Sequence, residues 1–234
     1  MSTVVIILAV IVILLIYILY RFLKAAEVEL TASANMNDDI TAMPIMTNPT
    51  STKYAYGLWI YVNSWQMGTP KTLYSRDNNI KLYLDANSPT LKCDIYMSND
   101  TYKTIEITDN FPVQKWVHII VSVDNQYADC YLDGKLVKSG RAYSEDSTGS
   151  GIQTPKQPPV GGKDGTKMKL GGGTRFDAYV SRFKHWSSAI NPETAWATYM
   201  KGNGQGVMKN MLSAYGLDVL IKKDNVEQTK FTLF

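Results

Sequence analysis

Two histidines, His118 and His185, are the side chains that could act as general bases near neutral pH. Both fall inside predicted strands, where a packing role is the ordinary one. A glycoside hydrolase would need two carboxylates about 5–10 Å apart. Glu106 and Asp109 are three positions apart, so a strand places them on opposite faces. Since no P-loop and no local Ser-His-Asp or Cys-His signature is present, we predict that the protein is not an enzyme.

Cys93 and Cys130 are the two cysteines among the 234 residues. They lack metal-ligand spacing, and they are too few for a disulfide framework in a domain of this size. The sequence predicts that each lies inside a strand as a small buried hydrophobic residue. It leaves open whether a single bridge joins them.

The charge and composition exclude some classes of function. The net charge is +3, and the lysines are scattered along the chain, so the electrostatic footprint of a nucleic-acid-binding protein is missing. Tyr, Val, Ile, Thr and Trp are frequent, with Asn, Asp, Gly and Pro clustered between short apolar runs. This composition favours β structure.

The N-terminal segment carries a strong membrane signal. Every residue from Val4 to Tyr20 is apolar or Tyr, a run near the lower end of the length that crosses a bilayer as a helix. Basic residues follow it, and no charged side chain precedes it, which argues against a cleaved signal peptide. We therefore predict a transmembrane anchor over residues 1–24. Its characteristic residues are Val4, Ile7, Leu8, Ile11, Leu14, Leu15, Ile18, Tyr20, Arg21 and Lys24.

The flanking charges also predict an orientation. Because Arg21 and Lys24 lie after the apolar run, the positive-inside rule places the C-terminal domain on the cytoplasmic side. A cytosolic location is compatible with unpaired thiols. The Asn99-Asp100-Thr101 glycosylation sequon would then be incidental.

The rest of the chain divides into a linker and one domain. Residues 25–52 are polar, contain Pro44 and Pro49 and lack a secondary-structure period, so they are predicted as a linker. Residues 53–234 are predicted as a single β domain. It includes a long loop excursion at 139–174 and a C-terminal strand pair within 205–234.

Short strands with frequent turns, and one short helix near the C-terminus, predict a mainly β antiparallel sandwich. Asn191-Pro192-Glu193 provides the helix start. The predicted strands are Tyr54–Val62, Thr72–Ser75, Ile80–Leu84, Thr90–Met97, Thr104–Thr108, Trp116–Val123, Tyr127–Leu132, Lys135–Val137 and Phe176–Trp186, with a last pair at about Met211–Ile221 and Val226–Phe234.

Several of these segments resemble laminin-G-like domains of the concanavalin A-like superfamily. They are GLWI at 57–60, WVH at 116–118 and YLDG at 131–134, and RFKHW at 182–186 followed by AINPE is similar to that family's last core strand and helical turn. The resemblance covers about residues 54–200 and implies a concanavalin A-like jelly roll. It implies structural roles for Trp59, Trp116, His118, Tyr131, Asp133 and Gly134.

A closer resemblance is to membrane-anchored members of this family in large eukaryotic DNA viruses. It rests on FPVQKWVHIIVSVDNQ leading into YLDGKLVKS, and on the ending YGLDVLIKKDNVEQTKFTLF. Such viruses carry an internal lipid membrane beneath an icosahedral shell. The resemblance implies a virion structural protein, a minor capsid protein that links the shell to this membrane. Its expected partners are the lipid and other capsid proteins, including the major capsid protein.

The resemblance also bears on ligands. The Glu-x-Asp-x-Glu run of the family's glucanases is missing. We expect no cofactor, although such domains often bind one calcium ion at a rim. The candidate calcium ligands are Asp109, Asp124, Asp133, Asp164 and Asp177.

A membrane-anchored lectin-like carbohydrate-binding module is the alternative function, and it would use exposed aromatic side chains. Trp59, Trp116 and Trp186 are instead expected to pack between the sheets. The candidates for sugar contact are Trp65, Tyr74, Tyr96, Tyr102 and Tyr143.

Overall fold

A computed structural model of the chain describes residues 3–24, 27–38, 43, 51–145, 151–158, 168–171, 175–204, 218–223 and 226–232. The apolar N-terminal segment forms helix α1 (Thr3–Lys24), which has 22 residues. Side chains of α1 are described for residues 7–19, and every one of them is exposed. Within the described part of the chain, no helix meets the length and apolarity that crossing a membrane requires.

Short strands and a second helix make up the remainder of the described chain. The strands are β1 (Glu27–Asn35), β2 (Lys53–Val62), β3 (Lys71–Arg76), β4 (Ile80–Leu84), β5 (Leu91–Tyr96), β6 (Tyr102–Thr108), β7 (Trp116–Asp124), β8 (Tyr127–Leu132), β9 (Lys135–Arg141), β10 (Ser144–Glu145), β11 (Ile152–Gln153), β12 (Met168–Leu170), β13 (Ala178–Trp186), β14 (Asp218–Lys223) and β15 (Val226–Thr232). Helix α2 (Pro192–Met200) lies between β13 and β14.

Two antiparallel sheets form a sandwich. The six-stranded sheet has the order β1-β13-β2-β7-β8-β9, and the five-stranded sheet has the order β12-β3-β4-β5-β6. The hairpins β10-β11 and β14-β15 form small sheets of their own. The predicted antiparallel sandwich is confirmed, it is consistent with a jelly roll, and the short helix near the C-terminus is present as predicted.

The structure corrects the predicted 25–52 linker, because β1 is part of the six-stranded sheet. It pairs antiparallel with β13, from Glu27 opposite Trp186 to Asn35 opposite Tyr179. Just beyond it, the Met36 side chain is buried in the core. An edge strand is bonded on one side and half-exposed on its faces, so it carries little apolar alternation. Residues 25–26, 39–42 and 44–50 lie outside the described residues.

The 139–174 excursion is also more ordered than predicted. It begins inside β9, which continues to Arg141, and it contains the β10-β11 pair. Pro155 forms a bridge to Met97, and β12 adds an edge strand to β3. These pairings are too short to produce a recognisable period in the sequence. Residues 146–150, 159–167 and 172–174 lie outside the described part of the chain.

The main core lies between the sheets and includes both cysteines. Alternate side chains of β2 and β7 pack there against those of β4 and β5. Cys93 and Cys130 are buried and free, which settles the question of a bridge. Burial raises the pKa of the Cys130 thiol to about 12 and that of the Cys93 thiol well above its ordinary value. Both behave as the small buried hydrophobic residues that were predicted.

Helix α2 covers the outer face of the six-stranded sheet, which explains why β2 and β7 are buried on both faces. A second apolar cluster there includes Trp186, Ile120 and Ala195. Trp59 also lies on this face, with its ring 5.4 Å from that of Tyr199 in α2. The expectation that the tryptophans pack between the sheets is therefore wrong for all three, because their parity in the strands directs them outward. Trp59 and Trp186 are buried on the outer face, and Trp116 is half-buried there with its ring 5.7 Å from that of Tyr61.

We call the end of the sandwich at which β1 begins the proximal end. The row Glu27, Trp186, Ala55 and Ser122 runs across this end of the six-stranded sheet. The turn at 77–79 of the other sheet lies here too, because the Tyr56 hydroxyl donates to Asn79 Oδ1 (3.2 Å). Hairpin turns 98–100 and 125–126, the loop 187–191 and the β10-β11 pair complete this end. Residues 25 and 26 alone separate it from α1.

Candidate functional site

Two hydrogen bonds join the motif residue His118 of β7 to Asp133 of the β8–β9 turn. The His118 N–H donates to Asp133 Oδ1 (2.9 Å), and the Asp133 N–H donates to the His118 carbonyl oxygen (2.8 Å). Asp133 and Gly134 both have positive φ, at 48° and 75°. The Asp133 carboxylate is thus engaged in holding the hairpin turn onto β7, which is an architectural task.

The two histidine rings pack inside the protein. The His118 ring lies 4.9 Å from that of Trp59, and burial together with the charge of Lys184 lowers its pKa to about 4. The His185 ring lies 5.2 Å from that of Tyr56, and burial with the nearby Arg76 lowers its pKa to about 4. Both rings are therefore neutral at pH 7, and both are almost fully shielded from solvent. This placement suits packing and gives neither ring access to a substrate.

Helix α2 is positioned by its cap and by one buried face. The Asn191 side chain accepts the N–H of Thr194 (2.9 Å), as expected of the predicted N-cap. Ala195 and Thr198 are buried against the sheet. A Cβ built on Gly134 would lie 2.9 Å from the Tyr199 Cβ, so only glycine lets the β8–β9 turn approach the helix this closely.

The opposite face of α2 presents apolar side chains to solvent. Trp196 is 46% exposed and Met200 is 64% exposed, and Leu136 of the neighbouring β9 is 47% exposed. Leu136 pairs with Tyr131, which packs in the cluster beneath α2, so Leu136 lies on the same side of the six-stranded sheet as Trp196 and Met200. We call these three residues the α2 patch. Sequence analysis missed this surface, although a tryptophan four positions before a methionine in a short helix was an available signal.

The outer face of the five-stranded sheet carries aromatic and charged side chains. The Asp94 carboxylate accepts from the hydroxyls of Tyr83 (3.3 Å) and Thr104 (2.7 Å). Burial and this carboxylate raise the pKa of Tyr83 to about 12. Tyr96 and Tyr102 pair with ring centroids 5.1 Å apart, and Tyr102 is 51% exposed. This face is polar and presents ring surfaces.

A cavity of about 250 Å³ opens near the proximal end of this sheet. Lys169 lines it and forms an ion pair with Asp77 (2.8 Å). Cations, hydroxyl groups and one tyrosine ring therefore converge on a small space. The lining residues are Thr72, Ser75, Arg76, Asp77, Ile80, Lys81, Tyr102 and Lys169.

The other candidate sugar contacts are dispersed. Tyr74 is 1% exposed and belongs to the core, so it cannot serve as a sugar platform. Trp65 is half-buried beneath Lys71, whose Nζ lies 4.2 Å from the ring centroid. Tyr143 lies at the proximal end with the Arg141 guanidinium 5.8 Å from its ring. Only Tyr96 and Tyr102 of the five candidates lie together.

The four candidate calcium ligands that the structure describes, Asp109, Asp124, Asp133 and Asp177, do not converge. Asp124 pairs with Lys53 (2.9 Å), and Asp177 accepts from the Asn63 amide (2.7 Å). Asp133 holds its turn, and Asp164 lies outside the described residues. Among the residues that the structure describes, no three His, Cys, Asp or Glu side chains form a group able to hold a metal ion.

The predicted anchor residues lie in α1. The described ones, which are Ile7, Leu8, Ile11, Leu14, Leu15 and Ile18, are all exposed. The side chains of Val4, Tyr20, Arg21 and Lys24 lie outside the described residues.

A known sequence family matches the residues that form the two sheets, the turn motif and the start of α2. The family model described as the concanavalin A-like lectin/glucanases superfamily matches residues 35–195. The chain belongs to this superfamily. The match starts at the end of β1 and runs into α2, so it covers both sheets of the sandwich. No curated protein matches the chain.

The sandwich of this concanavalin A-like domain is similar in fold to two solved structures with TM-scores above 0.5. One mutant of HCR/D is 15% identical with a TM-score of 0.53, covering 73% of this chain and 42% of its own. A second HCR/D mutant is 13% identical with a TM-score of 0.54, covering 73% and 43%. A botulinum neurotoxin serotype D binding domain is 12% identical with a TM-score of 0.49, covering 74% and 43%.

The concanavalin A-like chain thus spans about two fifths of the length of these structures. At such identities the two HCR/D likenesses establish a shared fold and nothing about ligands.

Proposed function

We propose that this concanavalin A-like protein is a membrane-anchored, non-enzymatic structural protein. In this proposal it is a minor capsid protein of a large DNA virus that links the capsid shell to the inner membrane. Helix α1 is the anchor, and the domain faces the capsid on the cytoplasmic side. Protein–protein contacts with other capsid subunits, the major capsid protein among them, make the link.

The observation that carries the proposal is the direct connection of an apolar helix to a strand of the sandwich. Side chains 7–19 of α1 are exposed and apolar or Tyr, and a helix that is apolar on all sides is stable in lipid or in a large core. The apolar run Val4–Tyr20 has 17 residues and extends about 26 Å at 1.5 Å per residue, which is near the lower end of the length needed to cross the hydrocarbon.

The α2 patch supports a protein as the partner. Trp and Met are enriched at the centres of protein interfaces, and Trp often carries much of the binding energy. Trp196 and Met200 are held by a helix whose other face is buried, so the patch is preorganised. The virion location is supported by the sequence resemblance of residues 111–139 and 215–234 to anchored proteins of large DNA viruses.

Photo-cross-linking in assembled virus particles tests the proposal. A photoreactive amino acid at position 196 is expected to form an adduct with a shell protein, because the patch faces the shell. The same amino acid at Glu106, which is exposed on the outer face of the five-stranded sheet and lies off the patch, is the matched control. A chain missing from purified particles, or equal adducts at both positions, would overturn the proposal.

Carbohydrate binding is a second candidate, and the cavity lined by Lys81, Lys169 and Tyr102 favours it. Hydroxyl groups, a ring face and cations suit a sugar that bears an acidic group. A glycan array with the full chain in detergent tests this function. Lys81→Ala and Tyr102→Ala should abolish any signal, while Lys138→Ala on the exposed face of β9 should preserve it. An array without bound glycans rejects this candidate.

A further inference from the structure

We propose that the proximal end of the sandwich lies against the headgroup layer of the bilayer that holds α1. Tyr102, Tyr127 and Tyr143 are its interfacial contacts. This inference rests on the proposed anchoring and deepens it, since it names the lipid surface as a second binding partner of the folded domain. It assigns the distal end and the α2 patch to protein partners.

The chain length between helix and sheet restricts where the domain can lie. Three Cα–Cα steps join Lys24 to Glu27, so these two atoms are at most about 11 Å apart. The headgroup layer on each side of the hydrocarbon is about 5–8 Å thick. Glu27 therefore lies within or just above the headgroups when α1 spans the bilayer.

Glu27 cannot peel away from the domain without breaking a buried contact. It pairs in the sheet with Trp186, and its carboxylate accepts a hydrogen bond from the Lys184 ammonium. The Lys184 side chain is 8% exposed, so opening this ion pair would leave a buried charge without a partner. The proximal end of the six-stranded sheet is therefore held close to the C-terminal end of α1.

The proximal end carries the side chains that favour a lipid–water interface. Tyr127 is 55% exposed and Tyr102 is 51% exposed. The Tyr127 and Tyr143 rings meet edge to face at 6.4 Å, and Arg141 lies over the Tyr143 ring. Tyr places its ring among acyl chains and its hydroxyl among headgroups, and Arg binds phosphate oxygens.

The charges at this end indicate what kind of lipid suffices. Lys53 pairs with Asp124, Lys156 with Asp100 (2.5 Å) and Lys169 with Asp77. Because these three lysines are balanced by neighbouring acids, they add little attraction to an anionic surface, and Arg141 can bind the phosphate of any phospholipid. The contact is therefore expected on zwitterionic lipid, and it should change little with salt.

Depth-dependent fluorescence quenching of the full chain in phosphatidylcholine nanodiscs tests the proposal. An environment-sensitive dye is attached to Gln126→Cys at the proximal end or to Lys115→Cys at the distal end, while Cys93 and Cys130 are buried and protected. Nine residues of β1 span about 30 Å between these ends. Nitroxide lipids should quench the dye at 126 at least about twofold more than at 115, with or without anionic lipid.

Variants separate this inference from the anchoring itself. Replacing Tyr102, Tyr127 and Tyr143 together by Ser should at least halve the excess quenching at 126. Tyr179→Ser, at a tyrosine of the distal end that is 44% exposed, should leave it unchanged. Equal quenching at 126 and 115 in a chain that floats with the nanodiscs overturns the headgroup contact alone. A chain that does not float overturns the anchoring.

Discussion

Asp133 and His118 hold the β8–β9 turn against the central strand β7. The carboxylate accepts the His118 N–H at 2.9 Å, and the return hydrogen bond from the Asp133 N–H measures 2.8 Å. The turn in turn contacts α2 through Gly134. This pair therefore couples the motif residues of two strands to the helix that bears the α2 patch.

Removing the Asp133 carboxylate should destabilise the domain. Asp133→Ala leaves a backbone N–H of β7 without its acceptor and places a non-glycine residue without a polar side chain at φ 48°. We expect a loss of about 2–3 kcal/mol in the free energy of unfolding, measured with guanidinium in detergent solution. Asp133→Asn keeps an acceptor and tolerates this φ, so it should lose less than about 1 kcal/mol. Equal losses for both variants would contradict the assigned role.

Gly134→Ala should displace α2. The new Cβ would lie 2.9 Å from the Tyr199 Cβ and 3.2 Å from the Trp196 Cα, in addition to the strain of φ 75°. We expect a loss of about 3 kcal/mol or more in unfolding free energy.

Gly68→Ala is the matched control for Gly134→Ala. Gly68 has φ 96°, and a Cβ there meets no described atom within 4 Å. Backbone strain alone should then decrease the stability by about 1 kcal/mol. If both variants lose the same amount, the close approach of the turn to α2 is unimportant.

Glu27→Ala should release β1 from the sheet. The variant leaves Lys184 almost buried and without its carboxylate, for which we expect a loss of about 2–3 kcal/mol. Amide hydrogen exchange in β1 should accelerate more than exchange in β7. Asp124→Ala breaks an exposed ion pair with Lys53, whose side chains are 51% and 54% exposed, and should lose less than about 1 kcal/mol. If amide exchange in β1 does not change, the Glu27–Lys184 ion pair does not hold β1 in the sheet.

The buried histidines predict a loss of stability in mild acid. Burial lowers the pKa of His118 and of His185 to about 4 in the folded protein, against about 6.5 when unfolded. Unfolding therefore takes up protons between these values. The stability from neutral burial is complete above pH 6.5 and decreases as pH falls towards 4, by about 1.4 kcal/mol per pH unit for each ring.

Unfolding titrations from pH 7 to pH 4.5 check this dependence on the histidines. The number of protons taken up on unfolding should be smaller by about one in His185→Gln, because one of the two buried histidines is missing. This difference does not depend on how the substitution changes the absolute stability. Carboxylates contribute equally to the parent and the variant at these pH values. A proton uptake that does not change in His185→Gln would show that the ring is already accessible in the folded state.

The sequence predicts what local patterns determine. Alternation in β5 is apparent because Cys93 and Ile95 face the core, and Asp133-Gly134 identifies its hairpin by turn chemistry alone. The Asn191 cap likewise acts on its own helix. For these elements the physical cause lies within a few residues.

Other features depend on partners far away in the chain. β1 contains mainly polar and small residues. It forms a strand because it can bond to the edge of β13, which lies about 150 residues later in the chain. In the sequence Tyr74 looks like a surface aromatic residue. It is buried because its side chain points between the sheets, where its ring lies 5.2 Å from that of Phe183 in β13. The α2 patch was not predicted, because the spacing of Trp196 and Met200 places them on one face of the helix but does not tell whether packing leaves that face exposed.

The most direct test of the account is alkaline carbonate extraction of membranes that contain the chain. The full chain should stay in the membrane pellet and be released by detergent, and a variant lacking residues 3–20 should appear in the supernatant with its sandwich folded. The account predicts this difference because α1, two residues from β1, is the anchor. A full chain that carbonate releases as readily as the shortened variant would contradict it.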